Sequence, residues 1–187
     1  MTDQDERDVV VAPEKLRGKG PSAPLPKLNL CGDIGLRIER DGTWYYQGGP
    51  IGRMALVRLF ASVLRREEDG RYYLVTPVEK VPITVEALPF VAVEMWPEGE
   101  GESQALRFRS NVDDWVTAGP GHSLGFERGA AGNFIPFVVV RDGLKARLAR
   151  SVYYELAALA MEGPAAAGHG VWSGGAFFPF PEETPGG

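Results

Sequence analysis

Four cationic side chains, Arg141, Lys145, Arg147 and Arg150, fall between positions 141 and 150 of this chain. Guanidinium groups hold carboxylates and phosphates through paired, charge-assisted hydrogen bonds, so such a cluster points to anion binding. If the stretch is helical, Arg147 and Arg150 are three apart and share a side. Arg58, in an apolar run earlier in the chain, presents a matching charge. A solvated helix face paired with Glu79, Asp113 and Asp114 explains the same residues without a ligand. A second candidate is Gly48-Gly49-Pro50-Ile51-Gly52-Arg53, a glycine-rich turn at the entrance of an expected helix. Backbone N–H groups at a helix start receive anions. Arg53 beside that positive end costs roughly 0.3–1 kcal/mol, which calls for a counter-anion from the protein or a ligand. A tight turn with Pro near the first helical position is the structural alternative. The run is neither a phosphate-binding P-loop nor a dinucleotide fingerprint.

Asn111-Val112-Asp113-Asp114 offers adjacent carboxylates, a chemistry suited to a divalent cation or a shared proton. Neighbours on a strand point to opposite faces, and Asn and Asp are turn residues, so a turn is the expectation. Among the aromatic residues, most of which belong in the core, Tyr153 and Trp172 are assigned to a pocket lining. Ser62, Ser151 and Ser173 have no evident base and orienting partner, so no catalytic residues are assigned. With His122, His169 and Cys31 as the only His and Cys residues, a four-ligand structural zinc site cannot be built, and neither a metal nor a cofactor is expected.

These residues need elements to hold them. The period-two pattern of Leu36 to Glu39, the turn Asp41-Gly42 and the run Trp44-Tyr45-Tyr46 predict a hairpin over 35–47. Leu56, Leu59, Phe60, Val63 and Leu64 predict a helix over about 51–66. Strands are expected at 72–76 and 81–85, the latter at an edge because of Pro82. Further strands are expected at 90–95, 105–109, 115–117, near 122–127 and near 135–141. A long helix is predicted over 144–161, and a closing hairpin over 171–180. Parts of the pattern recur. Leu36, Arg37, Gly49 and Pro50 match Leu106, Arg107, Gly119 and Pro120 at an offset of 70 positions. Leu56, Arg58 and Leu64 match Leu148, Arg150 and Leu156 at an offset of 92, so the second copy carries a 22-residue insertion before its helix. That insertion is expected to bring Arg141 to the entrance of the second helix. The fold class is therefore α+β: a duplicated hairpin-helix-strand unit with antiparallel sheets. The expected divisions are a disordered arm at 1–27, one repeat at 28–87, a second with the insertion at 88–181, and a flexible tail at 182–187.

Whole-chain properties bound the partners. The chain has 187 residues, 44% of them hydrophobic and 24% charged, which is the composition of a globular protein with a core. Its net charge of −5 argues against a general nucleic-acid binder. One cysteine permits no internal disulfide. No basic region followed by an apolar core opens the chain, and no apolar run approaches the roughly 20 residues of a membrane span. A cytoplasmic location is the expectation.

The runs DGTWYYQGGPIGRMALVRLFASVLRR from Asp41, YYLVTPVEKVPI from Tyr72, PFVVVRDGL from Pro136, VYYELAAL from Val152 and VWSGG from Val171 occur in one order. In them the chain resembles the uncharacterised bacterial family called domain of unknown function 1285, over roughly residues 28–180. The resemblance implies a duplicated α+β core whose C-terminal half is superficially pleckstrin-homology-like. It also implies a ligand or partner site between the halves and a role in signal transduction. The family supplies no catalytic residues. The functional expectation is a non-enzymatic cytoplasmic protein with a groove between its repeats, lined by Arg53, Glu79, Arg141, Arg150, Tyr153 and Trp172. Its partner would be an anionic small molecule or a protein segment. The alternatives are an enzyme for a small acidic metabolite, with Glu79 or Asp113 as general base, and an interaction module using a sheet edge.

Overall fold

The computed structural model describes residues 29–30, 32–129, 132–164 and 167–181. The expected arm at 1–27 and tail at 182–187 lie outside the described residues.

The first half runs β1 (Asn29–Leu30), β2 (Leu36–Ile38), β3 (Trp44–Tyr46), β4 (Gly49–Pro50), α1 (Met54–Val63), β5 (Leu64–Arg66), β6 (Tyr72–Val75) and β7 (Glu79–Val85). The second runs β8 (Phe90–Glu98), a 3₁₀ turn at Gly101–Ser103, β9 (Ala105–Ser110), β10 (Trp115–Thr117), β11 (Leu124–Arg128), β12 (Phe134–Arg141), β13 (Leu144–Leu148) and α2 (Arg150–Ala158). A small sheet of β14 (Met161–Glu162), β15 (His169–Ser173) and β16 (Ala176–Pro179) closes the chain. The protein is α+β with a duplicated unit. The first sheet has the order β4-β3-β2-β7-β6-β5, with β1 beside β7, and the second has β10-β9-β8-β13-β12-β11. Both fold as two three-stranded meanders joined where their first and last strands run parallel, β2 beside β7 and β8 beside β13.

This duplication has a different register from the sequence matches. The offset of 70 lays β2–β3 over β9–β10, whereas sheet order equates β2–β3–β4 with β8–β9–β10. The helices are not equivalent either: α1 joins the two meanders of the first sheet, while α2 follows the last strand of the second. The helix expected over 144–161 is therefore two elements. Asp142 and Gly143 have φ of +45° and +72° and form a tight hairpin turn between β12 and β13. Leu144, Ala146 and Leu148 are buried, while Lys145 and Arg147 between them are half-buried. That alternation is a strand period. Arg141 thus ends a strand and does not open a helix. The first helix is also shorter than expected. Pro50 is taken up by β4, and Leu64 leaves α1 to pair with Leu74.

Pro82 is not on an edge strand. β7 is interior, with β6 on one side and β1 and β2 on the other. β1 pairs with Glu79 and Lys80, and β2 with Thr84 and Val85, so Pro82 falls opposite the gap between them. The break in pairing accommodates a residue with no N–H to donate.

Trp44, Ile38 and Leu36 of the first sheet share one core with Phe90, Phe108, Leu106 and Leu144 of the second. α2 packs on β8 and buries Val152 and Leu156, one helical turn apart. Ser173 pins the closing sheet to the second half. Its fully buried hydroxyl accepts from the N–H of Leu106 at 2.8 Å and donates to the carbonyl of Ala118 at 2.7 Å.

Candidate functional site

Strand periodicity puts Lys145 and Arg147 on the side of β13 opposite its buried residues. Beyond the shared core, specific polar contacts join the halves. The hairpin tip between β2 and β3 inserts Gly42 against the second half. Asn111 donates from Nδ2 to the Gly42 carbonyl at 3.1 Å and accepts from the Val91 N–H at 3.0 Å. A Cβ at position 42 would lie 2.7 Å from Cγ2 of Val91, and Gly42 has φ of +89°, so glycine is required there. Asn111 to Asp114 form the expected turn, with Asp113 at φ of +65° and the Ser110 hydroxyl accepting from the N–H groups of Val112 and Asp114.

Two open spaces lie along this seam. The first, of about 440 Å³, is lined by Arg58, Ala61 and Ser62 of α1 and by Val112, Asp113, Asp114 and Arg141. Arg141 pairs with Asp114 at 2.5 Å, donates to the Ala61 carbonyl at 2.5 Å and lies over the Phe90 ring. Arg58 pairs with Asp113, which also accepts from Arg109 at 2.7 Å, and Arg109 binds Glu94 on its other side. Charge here is neutralised within the protein, and the space works as a clasp between the halves. The Arg109 hydrogen bonds hold the Glu94 carboxyl below the usual range. A carboxyl whose folded pKa is lowered stabilises the fold above its unfolded pKa, about 4.3, and that contribution is lost as pH falls through the folded value. Glu94→Gln is therefore expected to lose less stability than the parent between pH 5 and 3, measured by urea unfolding. Equal losses would show that the pair contributes nothing.

The second space, a groove of about 750 Å³, is larger. Arg40 and Asp41 reach it from the β2–β3 turn, and Glu86 and Ala87 from the link between the halves. Glu127 to Gly129, Asn133 to Pro136, Arg147 and Leu148 complete it from the second sheet. One of its carboxylates is paired with a cation, and the other two accept backbone N–H groups. Glu127 pairs with Lys145 at 2.7 Å, Glu86 accepts from the Arg40 N–H at 3.2 Å, and Asp41 accepts from the Thr43 N–H at 2.8 Å. The Thr43 contacts, with Arg147 nearby, lower the Asp41 carboxyl. Arg40, Arg128 and Arg147 form no ion pair among the described residues. Arg147 spends one N–H on the Arg40 carbonyl at 2.9 Å, and Arg128 lies over the Phe134 ring at 4.8 Å.

Of the six residues expected to line a groove, only Arg141 borders either space. Arg53 is exposed at the start of α1, and Glu79 is exposed at the start of β7. Arg150 is exposed on α2 and donates to the Tyr154 hydroxyl at 3.0 Å. Tyr153 packs edge-on against Phe126, and Trp172 against Phe177 in the closing sheet. The structure therefore does not bring the six together. Nor does it give either candidate base a suitable setting. Glu79 is exposed, and Asp113 is held between two guanidiniums, whereas a general base needs an unpaired carboxylate in a pocket. Among the described residues, no group of three or more His, Cys, Asp or Glu side chains comes together, and no helix is long and apolar enough to cross a membrane. Sequence reading missed Arg40, Glu86 and Arg128. Arg40 had a usable signal, a charge next to a hairpin turn, but its neighbours lie in the other half of the chain.

Residues 25–88 match the family model described as the N-terminal domain of unknown function DUF1285, and residues 89–180 match the C-terminal domain of proteins of the same designation. The crystal structure of a DUF1285 family protein from Silicibacter pomeroyi DSS-3 is similar, with a TM-score of 0.75 and 48% identity, covering 87% of this chain and 88% of that one. A DUF1285 family protein from Shewanella baltica OS155 gives a TM-score of 0.53 at 25% identity, covering 67% of this chain and 91% of that one. No curated protein matches the chain.

Proposed function

The chain belongs to the DUF1285 family, and from that premise we propose that it is a non-enzymatic binding protein that holds a small anionic ligand in the groove between its halves. The observation that carries this reading is the charge distribution of the larger groove. Three guanidiniums surround it without a carboxylate partner among the described residues, in a chain whose net charge is −5. In the smaller space the arginines are paired. Its volume of about 750 Å³ lies within the range of small-molecule sites, roughly 300–1,000 Å³. In this reading Arg147 and Arg40 are the principal anion contacts, Arg128 closes one end, and Arg141 is a structural clasp. Arg53, Glu79, Arg150, Tyr153 and Trp172 stand outside the site.

The test is a thermal-shift and calorimetric survey of acidic metabolites, followed by variants. Arg147→Ala is expected to weaken the bound acid roughly tenfold, the scale of one charge-assisted hydrogen bond. Arg53→Ala and Arg150→Ala, outside the groove lining, should bind as the parent does. The opposite pattern would move the site to the helix starts and overturn the proposal. Within this reading the protein acts as a cytoplasmic signalling component, and recovery from a membrane or external fraction would contradict that location.

A further inference from the structure

The groove is not uniformly polar. Its cationic part is formed by Arg40 and Arg147, joined by the hydrogen bond from Arg147 Nε to the Arg40 carbonyl at 2.9 Å. Its other walls include Ala87, Ile135, Pro136 and Leu148, and Phe134, whose ring carries the Arg128 guanidinium at 4.8 Å. Phe134, Ile135, Pro136 and Ala87 are half-buried, so they keep apolar surface within reach of solvent. A compact inorganic anion or a small dicarboxylate would satisfy the arginines but leave that surface wet. A molecule with an acidic head and an apolar body satisfies both. Resting on the anion-binding reading above, we propose that the ligand class is an amphiphilic acid, with its carboxylate or phosphate at Arg147 and Arg40 and its hydrocarbon against Ala87, Phe134 and Ile135.

Part of the apolar lining lies on the β11–β12 hairpin. Ile135 pairs with Glu127 and Phe134 with Arg128 across the β11–β12 hairpin. Glu127 pairs with Lys145, and the Arg128 guanidinium lies over the Phe134 ring. The β11–β12 hairpin therefore offers apolar area beside a guanidinium that has no ion pair among the described residues. That is the arrangement by which aliphatic stems and ring faces receive hydrocarbon while the charged groups stay hydrated.

The experiment uses the full chain and a homologous series of straight-chain carboxylates from butanoate to decanoate below their aggregation limits, with the matching alkyl phosphates and neutral alkanols. Affinity is read by calorimetry. Each added methylene should tighten binding by up to about fourfold until the groove is filled. Alkanols of equal length should bind at least tenfold more weakly than the acids. Phe134→Ala and Ile135→Ala should flatten the dependence on chain length, and Arg147→Ala should weaken every acid by a similar factor. If carboxylates are length-dependent and phosphates are not, the head is a carboxylate; the reverse result assigns a phosphate. A series flat in length, with Arg147-dependent binding of short acids intact, overturns the amphiphile and leaves the anion site standing. Alkanols binding as well as acids, or no dependence on Arg147, overturns both.

Discussion

Ser173→Ala is expected to lower the melting temperature by about 5–15 °C. The hydroxyl is fully buried and serves two backbone groups, receiving the Leu106 N–H and donating to the Ala118 carbonyl. Removing it strands both in an apolar surrounding, at about 1–3 kcal/mol each, or roughly 2–4 kcal/mol in total after relaxation. Its neighbours leave little freedom to repair the loss. A Cβ built at Gly174 would lie 2.8 Å from the Ala118 carbonyl oxygen, so the backbones of the closing sheet and of β10's exit are already in contact. Ser173→Thr keeps the hydroxyl and is expected to recover part of the loss. An alanine variant that melts with the parent would show that the bond pair is dispensable and that Val171, Phe178 and the Gln104 contacts to Trp172 and Gly174 hold the closing sheet.

Asn111→Ala is expected to cost about 2–3 kcal/mol and, unlike Ser173, to act across the seam. It removes the acceptor for the Val91 N–H and the donor to the Gly42 carbonyl. Gly42→Ala should cost a similar amount by strain and by contact of the new methyl with Val91 and with the Asn111 amide, 2.7 and 2.8 Å from the ideal Cβ. The two effects share the same space, so they should not add. With Asn111 already shortened, the methyl at 42 meets only Val91, and the double variant should be more stable than the sum of the single ones by about 1 kcal/mol. Urea unfolding of the four proteins measures this coupling. Strict additivity would mean that the hairpin tip and the Asn111 turn do not meet in solution.

Both substitutions bear on the groove. The Gly42 contact fixes the tip that carries Arg40 and Asp41, and Arg147 binds the carbonyl of Arg40. A loosened tip should therefore weaken acid binding even with every groove side chain present. Arg141→Met, in the neighbouring clasp, removes the contacts to Asp114 and to the Ala61 carbonyl without touching the groove lining.

The readable part of this protein was local. Alternation at Leu36 to Glu39 with the Asp41-Gly42 turn yielded the first hairpin, because pleating and positive φ are properties of a few adjacent residues. The turn at Asn111 to Asp114 was readable for the same reason. The same signal was present at Asp142-Gly143, followed by alternating Leu144, Lys145, Ala146, Arg147 and Leu148. The adjoining apolar run after Arg150 has helical spacing, and in one continuous segment the helical period masks the strand period. That masking displaced the cations: Lys145 and Arg147 belong to a strand facing away from the buried side, and only Arg150 is helical.

Composition and period alone determined that this is an α+β chain with an antiparallel framework, a repeated pattern and cations grouped near positions 141–150. They could not determine which cations lack partners. Arg141 and Arg147 are similar in sequence context, yet one is spent on Asp114 and the Ala61 carbonyl while the other lines a groove and forms no ion pair among the described residues. That difference depends on chain segments up to 107 positions apart, brought together when two sheets with the same strand order pack into one core. A charge's availability is a property of its neighbours in space, and only the tertiary structure supplied them.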